Sequence, residues 1–330
     1  MQNTRIRNKD KVITKRLRKH PRLFWFGKTA QCWFASVTAQ PIGVASKSSI
    51  CNSPFLFIVG SGRSGNTLFR RLLMERWSIY IPPETYVLPK IVDYRVRGRG
   101  LSWQALVDLT VSAFEYHPEF ETFEIQSLRE FSLEARKYPT ERRTFQDLLF
   151  GLYGYFSRRA GIECDWLGDK TPLNTLDLGR IDRHAMPGAH YCYLLRDGVD
   201  VAVSYVDAGI YGSLEEAAER WVLSQRSWEG FRSRIPSAKR LEVRYEDLVS
   251  APDSVLGGVV SKFRIPERES PIDLAAALGD VGRREHHSNV MKRTSVSSIG
   301  KGRRALTTSE RKRLRPILSG WLEHCGYAGI

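Results

Sequence analysis

Phe55-Leu-Phe-Ile-Val-Gly-Ser-Gly-Arg-Ser-Gly-Asn-Thr-Leu-Phe-Arg-Arg-Leu-Leu73 changes its hydrophobic period in the middle of a glycine cluster. Phe55 to Val59 is an unbroken apolar run of buried-strand length. Thr67 to Leu73 instead places Leu68, Leu72 and Leu73 on one helical face, with Arg70 and Arg71 turned away. The stretch predicts strand, loop and helix, with Gly60, Gly62 and Gly65 in the loop. Such a junction brings unpaired backbone N–H groups and the positive end of a helix dipole to one point, which suits an anion. The plainer reading is a glycine turn of any α/β protein, and the loop alone does not separate the two.

The spacing fits the phosphate-binding pattern G-x-x-x-x-G-K-[ST], with Gly60 and Gly65 at the glycine positions and Thr67 as the final hydroxyl. Asn66 stands where that pattern has lysine, and a cation, Arg63, lies inside the loop instead. The group that reaches the β- and γ-phosphates in nucleoside triphosphatases is therefore missing. Phosphate binding without γ-phosphoryl transfer is the expectation.

Working outward, the chain of 330 residues is 42% apolar, enough for one large domain or two small ones. Alternating short apolar runs and helical stretches favour α/β. The net charge of +15 is uneven, because residues 1–28 hold ten Lys or Arg against the single acid Asp10. We divide the chain into a basic arm and linker, 1–50, and a main domain, 51–330, with a helical insert at about 100–160. Aromatic residues from Leu23 to Phe34 beside the cationic arm suit an anionic membrane surface; a flexible tail with a short packed segment is the plainer reading. The five cysteines are widely spaced without C-x-x-C, so a reducing compartment and no structural zinc are expected. No apolar run is long enough to span a bilayer.

Ile79 to Ile81 reads as a short strand stopped by Pro82 and Pro83, beside the first strand, with Glu84 directly after it. Ligands bind at that edge of open α/β sheets, so Glu84 is a candidate general base; the plainer reading is an acid at a helix start. Residues 101–160 read as two or three amphipathic helices, with Trp103, Leu106 and Val107, then Phe145, Leu148, Leu149 and Leu152, as buried faces. Lys170 ends a strand beginning at Trp166. Tyr191 to Leu195 is a strand followed at once by Arg196 and a helix start, repeating the opening layout and implying a second anion site. Ser204, two helical turns on, adds a hydroxyl only if its helix is approached from the side. After a further strand, Leu241 to Tyr245, the segment His286 to Arg304 reads as an irregular, basic, hydroxyl-rich loop folding over a phosphate.

Four of these segments, in order, resemble the sulfotransferase superfamily, whose members use 3′-phosphoadenosine 5′-phosphosulfate. Gly60 to Thr67 is similar to its 5′-phosphosulfate loop and Leu195 to Ser204 to its 3′-phosphate motif; Arg244 to Leu248 and Ser298 to Gly302 are similar to further signatures. The likeness covers roughly residues 53–327 and is nearer to bacterial carbohydrate and lipid enzymes and the tyrosylprotein branch than to the cytosolic phenol and steroid branch. It implies a P-loop-like open parallel sheet flanked by helices, with the insert forming the acceptor cleft. It also implies Glu84 as base, where the cytosolic branch uses histidine, with Arg63 and Lys170 stabilising the leaving phosphate. Gly62, Arg63, Ser64, Gly65, Asn66, Thr67, Arg196, Ser204, Tyr245, Ser298 and Lys301 would hold the donor, and no metal is required. The final loop lacks the aromatic residue often found after its cation.

An ATP-dependent kinase of P-loop type and a non-enzymatic membrane- or nucleic-acid-binding protein stay as alternatives, the first opposed by Asn66 and the second resting on the basic arm. The sulfotransferase reading expects no nucleic-acid partner. Its acceptor is a hydroxyl of a glycan or glycolipid first, a lipid or natural product next, and peptide tyrosine last. A bacterial cytoplasmic setting, with peripheral membrane contact through the arm, completes the expectation.

Overall fold

The apolar run at 55–60 forms the central strand of a five-stranded sheet. The protein, as a computed structural model, is described at residues 42–43, 54–98, 100–278 and 295–330. The basic arm, most of the linker and the first part of the late basic loop lie outside the described residues. The strands are β1 (Phe55–Gly60), β2 (Ile79–Tyr80), β3 (Trp166–Lys170), β4 (His190–Leu195) and β5 (Arg240–Arg244), in the order β2-β3-β1-β4-β5. All four pairings are parallel. Parallel strands covered by helices on both faces read as continuous apolar runs, and every residue of β1 is buried.

The order corrects one expectation. Ile79 and Tyr80 pair with Trp166 and Leu167 of β3, not with β1, whose two edges are taken by β3 and β4. A strand of two residues carries too little pattern to fix its neighbour. The consequence favours a site, since the segment after β2 now lies beside the end of β3.

The helix after the loop, Asn66–Arg76, corrects another. Phe69, Leu73 and Met74 take the core face, and Arg70 is fully buried instead of turned away. Its Nε donates to the Ile81 carbonyl at 2.8 Å and its Nη2 to Ala277 at 3.3 Å. These carbonyls, past the end of β2 and at the end of a short helix, need donors when buried, and a guanidinium supplies several. Arg71 is also buried and pairs with Glu75 at 2.8 Å.

Between Trp103 and Arg159 stand three α-helices, Trp103–Glu115, Arg129–Ala135 and Phe145–Arg159, joined through two 3₁₀ turns. The apolar residues expected on their inner faces are buried. The described end of the late basic segment, from residue 295, is more regular than expected, because a short helix, Lys301–Ala305, follows Gly300. Asp200 holds it, accepting from Gly300 N at 2.7 Å and Gly302 N at 2.8 Å. The closing helix Thr308–His324 starts with a Thr307–Glu310 capping box and buries Leu314, Leu318 and Leu322. Among the described residues no helix is long and apolar enough to cross a membrane.

Candidate active site

The loop between β1 and its helix is shaped by what surrounds it. Gly65 takes φ +89°, and a Cβ there would lie 2.4 Å from the Tyr245 ring. At Gly62 a Cβ would lie 2.5 Å from the Tyr205 hydroxyl. Neither position has room for a side chain, so the backbone itself faces the cleft. Asn66, in the lysine position, donates through Nδ2 to the Ser61 carbonyl at 2.8 Å and braces the loop from within. The Ser64 hydroxyl is buried without a hydrogen-bond partner.

Two strand ends bring the candidate base to this loop. Lys170, at the end of β3, has a fully buried side chain; its Nζ lies 2.6 Å from Glu84 Oε1 and 3.2 Å from Thr67 Oγ1. Glu84 keeps 17% of its side chain exposed, toward the cleft that it lines. The segment carrying Glu84 has no regular structure and hangs on β3 through its neighbour. Thr85 N donates to Thr171 Oγ1 at 3.0 Å, and Thr85 Oγ1 donates to Asp169 Oδ2 at 2.8 Å. Asp169 is wholly buried and also accepts from Tyr153 OH at 2.7 Å and Asn174 Nδ2 at 2.8 Å. Burial pushes its carboxyl up from the ordinary value of 3.8, with the three hydroxyl contacts from Tyr153, Thr85 and Thr171 pulling the other way.

The opposite wall is cationic. Arg63, at φ +65°, donates from Nε to Ser204 Oγ at 3.2 Å, so the helix Gly198–Asp207 is met from its side. Burial and the nearby Arg196 charge hold the Arg63 guanidinium below its ordinary value. Arg196 donates to the Arg63 carbonyl at 2.9 Å and the Ser298 carbonyl at 3.1 Å, and its Nε is buried without a partner. It lies 4.2 Å from the centre of the Tyr245 ring, while Tyr245 OH and Ser298 Oγ are 2.7 Å apart. Lys301 turns elsewhere, pairing with Asp207 at 3.2 Å on the surface.

The cleft between these walls has a volume of about 460 Å³. Gly62, Arg63, Gly65, Asn66, Thr67, Glu84, Arg196, Ser204 and Tyr245 line it; Ser64, Lys170, Ser298 and Lys301 do not. Sequence reasoning missed Tyr86, Leu173, Ile210, Tyr211 and Arg220, which also line it. Leu173 follows Lys170 closely enough to have been noticed, and Arg220 stood out as a charge among Ala217, Ala218 and Trp221. Nothing local pointed to the others. No residue of 100–160 is among the cleft lining, so the expectation that this insert forms the cleft is not met there; it meets the site at Tyr86, on which His117 stacks at 5.4 Å. No group of three or more potential metal ligands occurs among the described residues.

A glycine loop after β1 is thus joined through Lys170, at the end of β3, to the cleft-facing carboxylate of Glu84. Residues 54–269 match the model described as the sulfotransferase family, and the chain belongs to that family. It is an enzyme of the sulfotransferase class. Two solved structures share the fold at 20% identity and a TM-score of 0.54 each. One is the sulfotransferase domain of the Synechococcus PCC 7002 olefin synthase, with 88% of this chain and 99% of that one covered. The other is the sulfotransferase domain from the curacin biosynthetic pathway, covering 84% and 99%. Among curated proteins none matches.

Proposed function

We propose that this enzyme transfers a sulfuryl group from 3′-phosphoadenosine 5′-phosphosulfate to an acceptor hydroxyl, with Glu84 as general base. The observation that carries the reading is the chain Glu84–Lys170–Thr67, which ties a cleft-facing carboxylate to the anion loop over 2.6 and 3.2 Å. The residues present fit the donor: Ser64 Oγ and Arg196 Nε are buried polar atoms awaiting partners, and the two glycines keep backbone N–H groups accessible. The donor supplies the sulfuryl group. Glu84 takes the proton of the acceptor hydroxyl as its oxygen bonds to sulfur, and the sulfur–oxygen bond to the phosphate breaks with its electron pair. Adenosine 3′,5′-bisphosphate leaves, and Lys170, Arg63 and the loop N–H groups stabilise the charge on its oxygen.

For the acceptor, the cleft supports a change of order. Tyr86, Pro172, Leu173, Ile210 and Tyr211 are among its lining, and Leu173 and Ile210 stay exposed. Such walls favour a hydroxyl on an apolar body, a lipid or natural product, over a free sugar. Against the kinase reading, Asn66 carries no charge, and its Nδ2 donates to the Ser61 carbonyl within the loop where a nucleotide kinase would extend a lysine to the γ-phosphate.

The test is transfer of radioactive sulfur from labelled donor to a panel of lipid, aryl and sugar alcohols. Wild-type chain should label an organic product, and Glu84→Gln should lower kcat by roughly 10²- to 10⁴-fold while still binding the bisphosphate. A Glu84→Gln chain that keeps the wild-type rate would overturn the assignment of the base.

A further inference from the structure

Arg220 lies on the helix Leu214–Arg232, whose next residue, Trp221, presses its ring against Gly198 and donates to the Arg196 carbonyl at 3.0 Å. That packing fixes the helix against the start of Gly198–Asp207 and turns Arg220 into the wall of the cleft. The side chain is nine-tenths buried, with 9% exposure. Its one hydrogen bond goes from Nη1 to Ser224 Oγ on its own helix, and no carboxylate pairs with it among the described residues. A buried guanidinium without a counter-charge is costly, and a structure retains one when an anion comes to it.

The rest of the cleft says which anion. Its charged lining is Arg63, Arg196 and Arg220 against Glu84, and Glu84 is already paired with Lys170. The lining also holds the apolar or aromatic side chains of Tyr86, Pro172, Leu173, Ile210 and Tyr211, which offer no further charge to an anionic group. Lys301, expected on the donor, is occupied with Asp207 outside. Resting on the sulfotransferase reading, we propose that Arg220 is a further ligand of the donor, pairing with a phosphate oxygen of the adenosine bisphosphate. A guanidinium suits that task because its fork matches a phosphate edge.

The experiment is calorimetric titration of the full chain with adenosine 3′,5′-bisphosphate, for wild type, Arg220→Met and Arg220→Lys. We expect Arg220→Met to weaken binding roughly 10- to 100-fold. Arg220→Lys, which keeps the charge and loses the fork, should fall between the two and serves if the Met chain does not fold. Ligand-free melting temperature should hold or rise in Arg220→Met, since an unpaired buried charge is removed. Unchanged bisphosphate affinity in both variants would overturn the proposal. So would a change confined to acceptor KM, which would give the anion to the acceptor. Failure of wild type to bind the bisphosphate would instead overturn the reading beneath it.

Discussion

Gly65 is held between two demands, a left-handed backbone at φ +89° and a Tyr245 ring where its side chain would be. Tyr245 cannot easily yield, because Arg196 lies over its face and Ser298 holds its hydroxyl. Gly65→Ala should therefore distort the loop and weaken bisphosphate binding by roughly tenfold or more, from strain of the order of 1–3 kcal/mol. Calorimetry on the variant checks this, and wild-type affinity would contradict it. That Gly65, Arg63 and Arg196 stand at the cleft was legible in the sequence, because their places follow from spacing next to a strand end. The burial of Arg70 was not, and Arg220 showed only as a charge among apolar neighbours, with nothing to say that it faced a cleft. Arg70 meets a carbonyl 207 positions away, and periodicity says nothing about which buried carbonyls lack donors.

At the scale of elements, the end of β3 does three things with three consecutive residues. Asp169 and Thr171 anchor Thr85, and Lys170 meets Glu84. Glu84, the proposed base, therefore sits on a loop anchored to an interior strand of the sheet. Lys170 at a strand end was visible in the sequence, but its bearing on Glu84 needed a contact across 86 positions, and the part of Asp169 one with Thr85 across 84. Burial raises the Asp169 carboxyl above 3.8, so the folded chain binds this proton more readily than the unfolded one. The stability this gives is full below about 3.8 and is lost as pH rises through the raised value. Asp169→Asn does not titrate, so wild type should lose melting temperature relative to it as pH climbs from 4 toward neutrality. A gap between the two that stays constant over that range would contradict the assignment. The same variant loosens the anchor of Thr85 and should lower kcat while sparing bisphosphate affinity.

For the whole molecule, the middle of the sheet was legible because parallel strands buried on both faces read as continuous apolar runs, as β1 and β4 do, whereas β3 ends in Asp169 and Lys170 and the edge strand β5 alternates charged and apolar residues. The position of β2 was not, since two residues carry no pattern. The apolar lining also escaped, because Tyr86, Leu173 and the pair Ile210-Tyr211 come from three separate segments that only the fold brings together. The family match gives the class of chemistry, while donor and base rest on the arrangement around the loop. That arrangement makes a binding claim that needs no acceptor to test. The most direct measurement is calorimetric titration with adenosine 3′,5′-bisphosphate, without metal, in parallel with ATP plus magnesium, on wild type and Arg196→Ala. The account predicts metal-independent binding of the bisphosphate by wild type, its loss in Arg196→Ala, and no comparable binding of ATP. Binding of ATP with magnesium alone, or of neither nucleotide, would contradict it.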